Sequence, residues 1–454
     1  PSSANPPNEG MDLVRELIDY VKHPSVSTDP AFKAGMDGAR QHICGLLKQA
    51  GLEVEVVPTP LHPIVLARRR GPNEWPHVVL YGHYDVQPAE PLELWTSPAF
   101  EPTVRDGRIY ARGSVDDKGQ LYLHIKALEA HLAVRGTLPV NVIVLAEGEE
   151  EVGSENLEQF LEREKVRLAC DAVVISDSTM FAPGIPSILS SLRGMVYLEI
   201  TVRGANGDLH SGMYGGAVVN PAMALARILA SMHDANGRIA IPGFYDDVRP
   251  FPDAVLAQMR DLPFSDEQLM HEVGVAALGG EPGYTTLERL WTRPTCEVNG
   301  MLSGYTGEGA KTVLPAVSMA KVSFRLVPDQ HPDVITALVR AHVERVAPAG
   351  VTVTVESHHG GRPWRADLKG PIIEAGKRAL EAAFGRAPVI TGEGGSIPVV
   401  GDFERILGAP VLLMGFGLPG ENAHAPNEWI SVENFLGGIR AAATLLDEYR
   451  AAVR

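Results

Sequence analysis

The stretch His77-Val78-Val79-Leu80-Tyr81-Gly82-His83-Tyr84-Asp85 decides the fold. The run His77–Tyr81 is nearly continuous in apolar residues rather than alternating. That is the pattern of a strand buried on both faces of a parallel sheet. Beyond it stand two residues with chemistry, His83 and Asp85, two apart, so an extended chain projects them from the same face. Three further runs read the same way: Asn141–Ala146, Asp171–Ser176 and Pro410–Met414. Helical stretches Lys118–Val134 and Glu155–Glu164 separate the first of these, and Met11–Lys22 and Phe32–Ala50 open the chain, with Gly51 placed to end the second. Strands alternating with helices predict an α/β domain on a mostly parallel sheet.

The middle of the chain has another period. Val196, Leu198, Ile200 and Val202 alternate with Tyr197, Glu199, Thr201 and Arg203. Ala320, Val322, Phe324 and Leu326 alternate with polar residues, as do Val351, Val353 and Val355. Period-2 patterning predicts an antiparallel sheet with one buried face, which helices Pro221–Met232 and Pro332–Val346 can cover. The expectation is an α+β domain over 194–361, inserted into an α/β domain whose two parts are 1–193 and 362–454. A chain of 454 residues is longer than one core usually supports.

Composition excludes several classes. The formal net charge of −16 opposes binding to phosphate backbones, so no nucleic acid is expected. No apolar run approaches the ~20 residues that cross a bilayer, so no membrane partner is expected either. Pro1–Gly10 is polar and proline-rich and reads as a disordered tail without a signal-peptide pattern. Cys44, Cys170 and Cys296 are odd in number and far apart, which fits buried thiols in a reducing cytoplasm and no cysteine-based metal motif.

Acids and histidines gather just after the strands. They are His83 and Asp85; Arg112-Gly113-Ser114-Val115-Asp116-Asp117-Lys118-Gly119 before a helix; Glu147 to Ser154; Ser176-Asp177-Ser178; and Asn422-Ala423-His424-Ala425-Pro426-Asn427-Glu428. Singly, each has an ordinary reading as a solvated loop, a cap or a charged surface. Together they occupy the place where open α/β sheets bind ligands, beyond the carboxyl ends of strands. Acidic runs beside buried strands are costly unless a cation neutralises them. If His83, Asp116, Glu151, Asp177 and His424 are ligands, two zinc ions and one hydroxide bring the cluster to zero charge, and imidazole with carboxylate suits zinc. Two metals ~3.5–4 Å apart need a bridging ligand, and spacing alone leaves open which acid it is. Gly415 to Gly420 fits a dinucleotide fingerprint, but Pro419, Asn422 and Pro426 predict a loop where that motif needs a helix.

Gly82-His83-Tyr84-Asp85, Gly113 to Gly119, Glu150-Glu151-Val152-Gly153-Ser154 and Ser176-Asp177-Ser178, in this order, resemble the aminoacylase and carboxypeptidase-G family of dinuclear zinc peptidases. The nearest branch is that of cytosolic non-specific dipeptidase and carnosinase. The resemblance implies that Asp116 bridges two zinc ions, with His83 and Asp177 completing one and Glu151 and His424 the other. It also implies that cobalt or manganese can stand in for zinc. It implies Glu150 as general base, Asp85 as the residue that orients His83, and a cis Asp116–Asp117 peptide. Asp208-Leu209-His210-Ser211-Gly212 resembles the segment whose histidine serves the partner's active site in a homodimer joined through the inserted domains. Thr312, Arg325, His359 and Ser396 fall in segments resembling substrate-binding ones, with Arg325 on the substrate carboxylate. Asn422 to Glu428 departs from the carnosinase pattern and also resembles deacylase relatives.

The reaction so implied is hydrolysis of a dipeptide amide by a metal-bridging hydroxide, with Glu150 taking its proton. A deacylase of N-acetyl or N-succinyl amino acids would use the same residues. A metal-loaded binding protein would need the ligands but no base beside them.

Overall fold

The computed structural model describes residues 7–453, apart from the side chains of residues 7–9, 359 and 398. The chain forms two compact units. The first comprises Pro1–Ser190, Ala366–Thr391 and Val399–Arg454, and the second Ser191–Arg365 and Gly392–Pro398. The sequence patterns assigned Gly392–Pro398 to the other unit. Its tie to the second runs through Arg193, whose Nε donates to the Gly394 carbonyl at 3.0 Å. No local period could announce that bond.

In the first unit, strand His77–His83 lies between Asn141–Glu147 and Ala172–Ile175, parallel to both, with Tyr81 opposite Leu145 and Ile175. Val411–Leu413 adds to Ala172–Ile175, also parallel. Ile64–Arg69 and Glu53–Val57 complete one edge antiparallel. Val78, Leu80, Val142, Val144 and Val174 face a core shared with helices Lys118–Arg135, Pro371–Phe384 and Val432–Ala452. On the other face the Tyr81 ring meets Phe403 edge-on, centroids 5.1 Å apart. Burial of both faces is the physical reason these strands carry no polar alternation. The first helix runs Pro7–Val21 and the second Lys33–Gln49, with Gly51 left-handed beyond it. The helix thus begins inside the stretch expected as a tail, whose residues 1–6 lie outside the described ones. Cys44 and Cys296 are buried as expected, whereas Cys170 is half-buried.

The second unit holds a four-stranded antiparallel sheet in the order Thr295–Ser303, Val317–Leu326, Gly194–Arg203, Thr352–Gly361. Val196, Leu198, Ile200, Val202, Val322 and Phe324 pack with Leu225, Ile228, Ile335 and Val339 of helices Pro221–Ala230 and Pro332–Val346. Strand Thr295–Ser303 went unread, because most of its residues stay in water and carry no alternation. Phe324 has no solvent exposure and sits in this core. Phe324→Ala is expected to cost about 3–5 kcal/mol, measured as a fall in the urea midpoint; an unchanged midpoint would remove Phe324 from the core. No helix among the described residues is long and apolar enough to cross a membrane.

Candidate metal centre

The strand ends bring the acids and histidines to one place in the first unit. His83 ends its strand with no solvent exposure. Its Nδ1 lies 3.1 Å from the Asp85 carbonyl and 3.3 Å from Asp85 Oδ1. Its backbone N–H donates to Asp117 Oδ2 at 3.1 Å. A β-carbon at Gly82 would stand 2.6 Å from that oxygen, so only glycine fits there. His83 Nε2 has no hydrogen-bond partner and points at Asp116 Oδ1, 3.1 Å away, and Asp177 Oδ2, 3.8 Å away. Asp177 follows strand Ala172–Ile175. Beside it, the backbone carbonyl of Ser178 closes on Gly415, where a β-carbon would be 2.0 Å away.

The second oxygen of Asp116 faces a different set. His424 Nε2 is 2.8 Å from Asp116 Oδ2 and 3.2 Å from Glu151 Oε2. Two triads that could each hold a cation therefore share Asp116: His83 with Asp177, and Glu151 with His424, ligand atoms within 4.8 Å of one another in each. The Asp116–Asp117 peptide is cis. His424 sits at φ 61°, in a loop where Asn422 and Asn427 are also left-handed. Such strain in non-glycine residues is kept where the surroundings fix it, commonly at functional sites.

Electrostatics asks for positive charge. Burial, reinforced by the charge of Asp116, pushes Asp177 up to about 7. Burial likewise raises Glu150 and Glu151, with neighbouring carboxylates adding to it. His424 is pushed up to about 11 by its bonds to Asp116 and Glu151. Without metal, the imidazoles must serve as the cations of a carboxylate cluster. Divalent metal fits this donor set: an orphaned buried imidazole nitrogen, a second imidazole and three carboxylates, all suited to zinc.

Glu150 begins the short helical turn Glu150–Val152, beside Glu151, and belongs to neither triad. Asp85 reaches beyond His83, since its Oδ2 also accepts from the Glu151 N–H at 3.1 Å. Gln87 went unnoticed in the sequence. Its backbone N–H and Nε2 hold the two Glu151 oxygens, at 3.1 and 2.7 Å. The signal was there, because Gln87 continues the alternation of His83 and Asp85.

The other candidates lie in the second unit. Arg325 Nη1 donates to Ser396 Oγ at 3.0 Å, and that hydroxyl donates to the Arg193 carbonyl. Burial and the Arg325 charge push the Arg193 guanidinium down to about 10. Arg193 was missed, because nothing in its neighbours marks it. Thr312 is exposed, and its carbonyl accepts from Ser211 N at 3.1 Å. His210 is exposed and caps a short helix, its Nδ1 accepting from Gly212 N at 3.0 Å. His359 lies on strand Thr352–Gly361, with its side chain outside the described residues. The Gly415–Gly420 segment is a loop with no helix starting in it.

Comparison with known proteins gives a consistent picture. The profile of peptidase family M20/M25/M40 matches residues 79–448. The Cys-Gly metallodipeptidase dug1 of Schizosaccharomyces pombe is 34% identical over 96% of this chain and 95% of its own. The Beta-Ala-His dipeptidase of Homo sapiens is 31% identical over 98% and 94%. Among solved structures, the M20 family metallo-carboxypeptidase Sso-CP2 of Sulfolobus solfataricus superposes with a TM-score of 0.86 at 32% identity, covering 97% of this chain and 99% of that one.

Proposed function

The chain belongs to peptidase family M20/M25/M40, and from that premise we propose that it is a dipeptidase working with two divalent metal ions, zinc by the chemistry of the donors. The observation that carries the proposal is Asp116, whose two oxygens face two separate histidine–carboxylate sets. His83, Asp116 and Asp177 would hold one ion, and Asp116, Glu151 and His424 the other. Bound there, the metals would acidify a water and polarise the scissile carbonyl.

The protein's own residues do the rest. Glu150 takes the proton of the attacking water as its oxygen bonds to the carbonyl carbon. The C–N bond then breaks, and Glu150 gives that proton to the leaving amine nitrogen. Asp85 keeps the His83 ring in place and directs Nε2 toward the cluster. Arg325, steadied by Ser396, pairs with the substrate carboxylate. His210, contributed by a second copy in a homodimer, stabilises the oxyanion. The domain carrying Arg325 and His210 is the inserted one.

The dipeptidase names of the relatives support a dipeptide substrate over an N-acyl amino acid. Cys-Gly, β-Ala-His, Ala-Ala, N-acetyl amino acids and succinyl-diaminopimelate are to be assayed side by side with added zinc or manganese. Dipeptides are expected to turn over fastest. A preference for the acyl substrates makes the protein a deacylase, and no turnover at all makes it a binding protein. Elemental analysis of dialysed protein is expected to give close to two metal ions per chain, and chelation to abolish turnover. Full activity with fewer than one ion would end the two-metal proposal.

A further inference from the structure

The strand Trp429–Ser431 pairs antiparallel with Arg108–Tyr110, Trp429 opposite Tyr110. One step along the ladder, Ala111 N donates to the Glu428 carbonyl at 3.1 Å. This register delivers Glu428, four residues beyond His424, to Arg112. Neither side chain reaches solvent, and Arg112 Nη1 donates to Glu428 Oε2 at 2.7 Å. The same oxygen accepts from Gly113 N at 2.9 Å. Oε1 accepts from Val115 N at 3.0 Å and from Asp116 N at 3.2 Å. Arg112 Nη2 reaches on to the Pro88 carbonyl at 3.1 Å, and Pro88 adjoins Gln87, which holds both oxygens of Glu151.

One buried ion pair therefore joins the segments that carry Asp116 and His424, and through Pro88 it adjoins Gln87, which holds Glu151. The remaining ligands have other supports. His83 is held by Asp85 and Asp117, and Asp177 stands two residues beyond the end of its strand. We propose that the Arg112–Glu428 pair positions one metal site more than the other, that of Glu151 and His424, since Asp116 serves both triads. This rests on the two-metal proposal above. Glu428 and Arg112 are positioning residues, since neither belongs to a ligand triad.

The chemistry requires a carboxylate. Four donors converge on Glu428, two on each oxygen. A glutamine offers one oxygen and one NH2 group, and whichever way it turns, the NH2 confronts N–H donors. If the amide oxygen keeps Arg112 and Gly113, then Val115 and the Asp116 backbone lose their acceptor. The competing account is that the pair serves the fold in general, since breaking any buried ion pair leaves an uncompensated charge. That account predicts lower stability and an equal effect on both metal positions.

The experiment is a titration of the metal-free protein with cobalt, followed by calorimetry and visible absorption. Wild type is expected to bind two ions. Glu428→Gln is expected to keep one position near its wild-type affinity and to weaken the other by about 10–100-fold, the scale of lost support behind a ligand. Glu428→Asp, which keeps the charge, should recover part of the loss. The position is identified in two backgrounds. In His83→Ala, adding Glu428→Gln must weaken the remaining ion; in His424→Ala it must change the remaining ion far less. Two unweakened positions in Glu428→Gln, or equal weakening in both backgrounds, overturns the inference. A wild-type protein that binds no ion instead refutes the two-metal proposal. Should Glu428→Gln not fold, Arg112→Lys is read by the same criterion. It keeps a charge beside Glu428 but offers no second nitrogen to the Pro88 carbonyl.

Discussion

Glu150→Gln is expected to lower kcat for dipeptide hydrolysis by at least ~10²-fold, the scale of a lost general base, with metal content unchanged. The substitution keeps size and shape and removes only the ability to take a proton. Glu150 starts the turn Glu150–Val152, so it shares its backbone frame with Glu151 while staying outside both candidate triads. Burial raises it above the ordinary carboxylate range, and the charges of Asp177, Glu151 and Asp116 add to this against the opposing effect of His83. Filling the two triads with cations would draw it back down, leaving a base where the proton is released. Turnover rates and metal analysis of the same preparation check the result. A variant with near-normal kcat would refute the role, and a variant that also lost metal would make Glu150 a ligand.

Mixing His210→Ala with Glu150→Gln under conditions that exchange subunits is expected to restore activity that neither variant has. His210 is an exposed residue of the second unit, on the short strand Leu209–His210 that pairs with Val313–Leu314. Its ring Nδ1 accepts from the Gly212 N–H, a bond that leaves Nε2 free to donate. If it serves the site of a second copy, a mixed dimer holds one site with both residues intact, each from a different chain. Random pairing then gives up to about a quarter of the wild-type rate, since half the dimers are mixed and each has one good site of two. If His210 acts within its own chain, every site lacks one residue and no activity returns. An active protein that sediments as a strict monomer would equally exclude action across subunits.

Much of the architecture was legible because it is written in local periods. Val78, Val142, Val174 and Leu412 lie in uninterrupted apolar runs, and those runs are parallel strands with both faces buried. Val196 to Val202 and Ala320 to Leu326 alternate, and those strands form an antiparallel sheet with one face packed under helices. Helix Pro332–Val346 has the predicted ends because Pro332 and the capping His331 mark its start in the chain itself. The exposed strand Thr295–Ser303 escaped because packing on one face, not period, gives a strand its pattern.

At the site, residue type and motif order identified the acids and histidines, since a strand end is a local feature and buried carboxylates demand a cation wherever they fall. Which oxygen faces which histidine was decided only in three dimensions. Asp116 turns Oδ1 to His83 and Oδ2 to His424, and its backbone N–H is held from across the fold by Glu428. Glu428 and Arg112 stand 316 residues apart and meet through the pairing of two three-residue strands. Arg193 likewise gains its partners, Gly394 and Ser396, from a segment that joins its unit only on folding. The sequence alone determined the sheet types, because each rests on neighbours within one element, and its motifs at the strand ends singled out the donors of the candidate centre. The tertiary structure alone decided which Asp116 oxygen faces which histidine, the grip of Gln87 on Glu151 and the Arg112–Glu428 pair. Such long-range hydrogen bonds have no sequence period, and only the closed fold removes the water that would otherwise take their place.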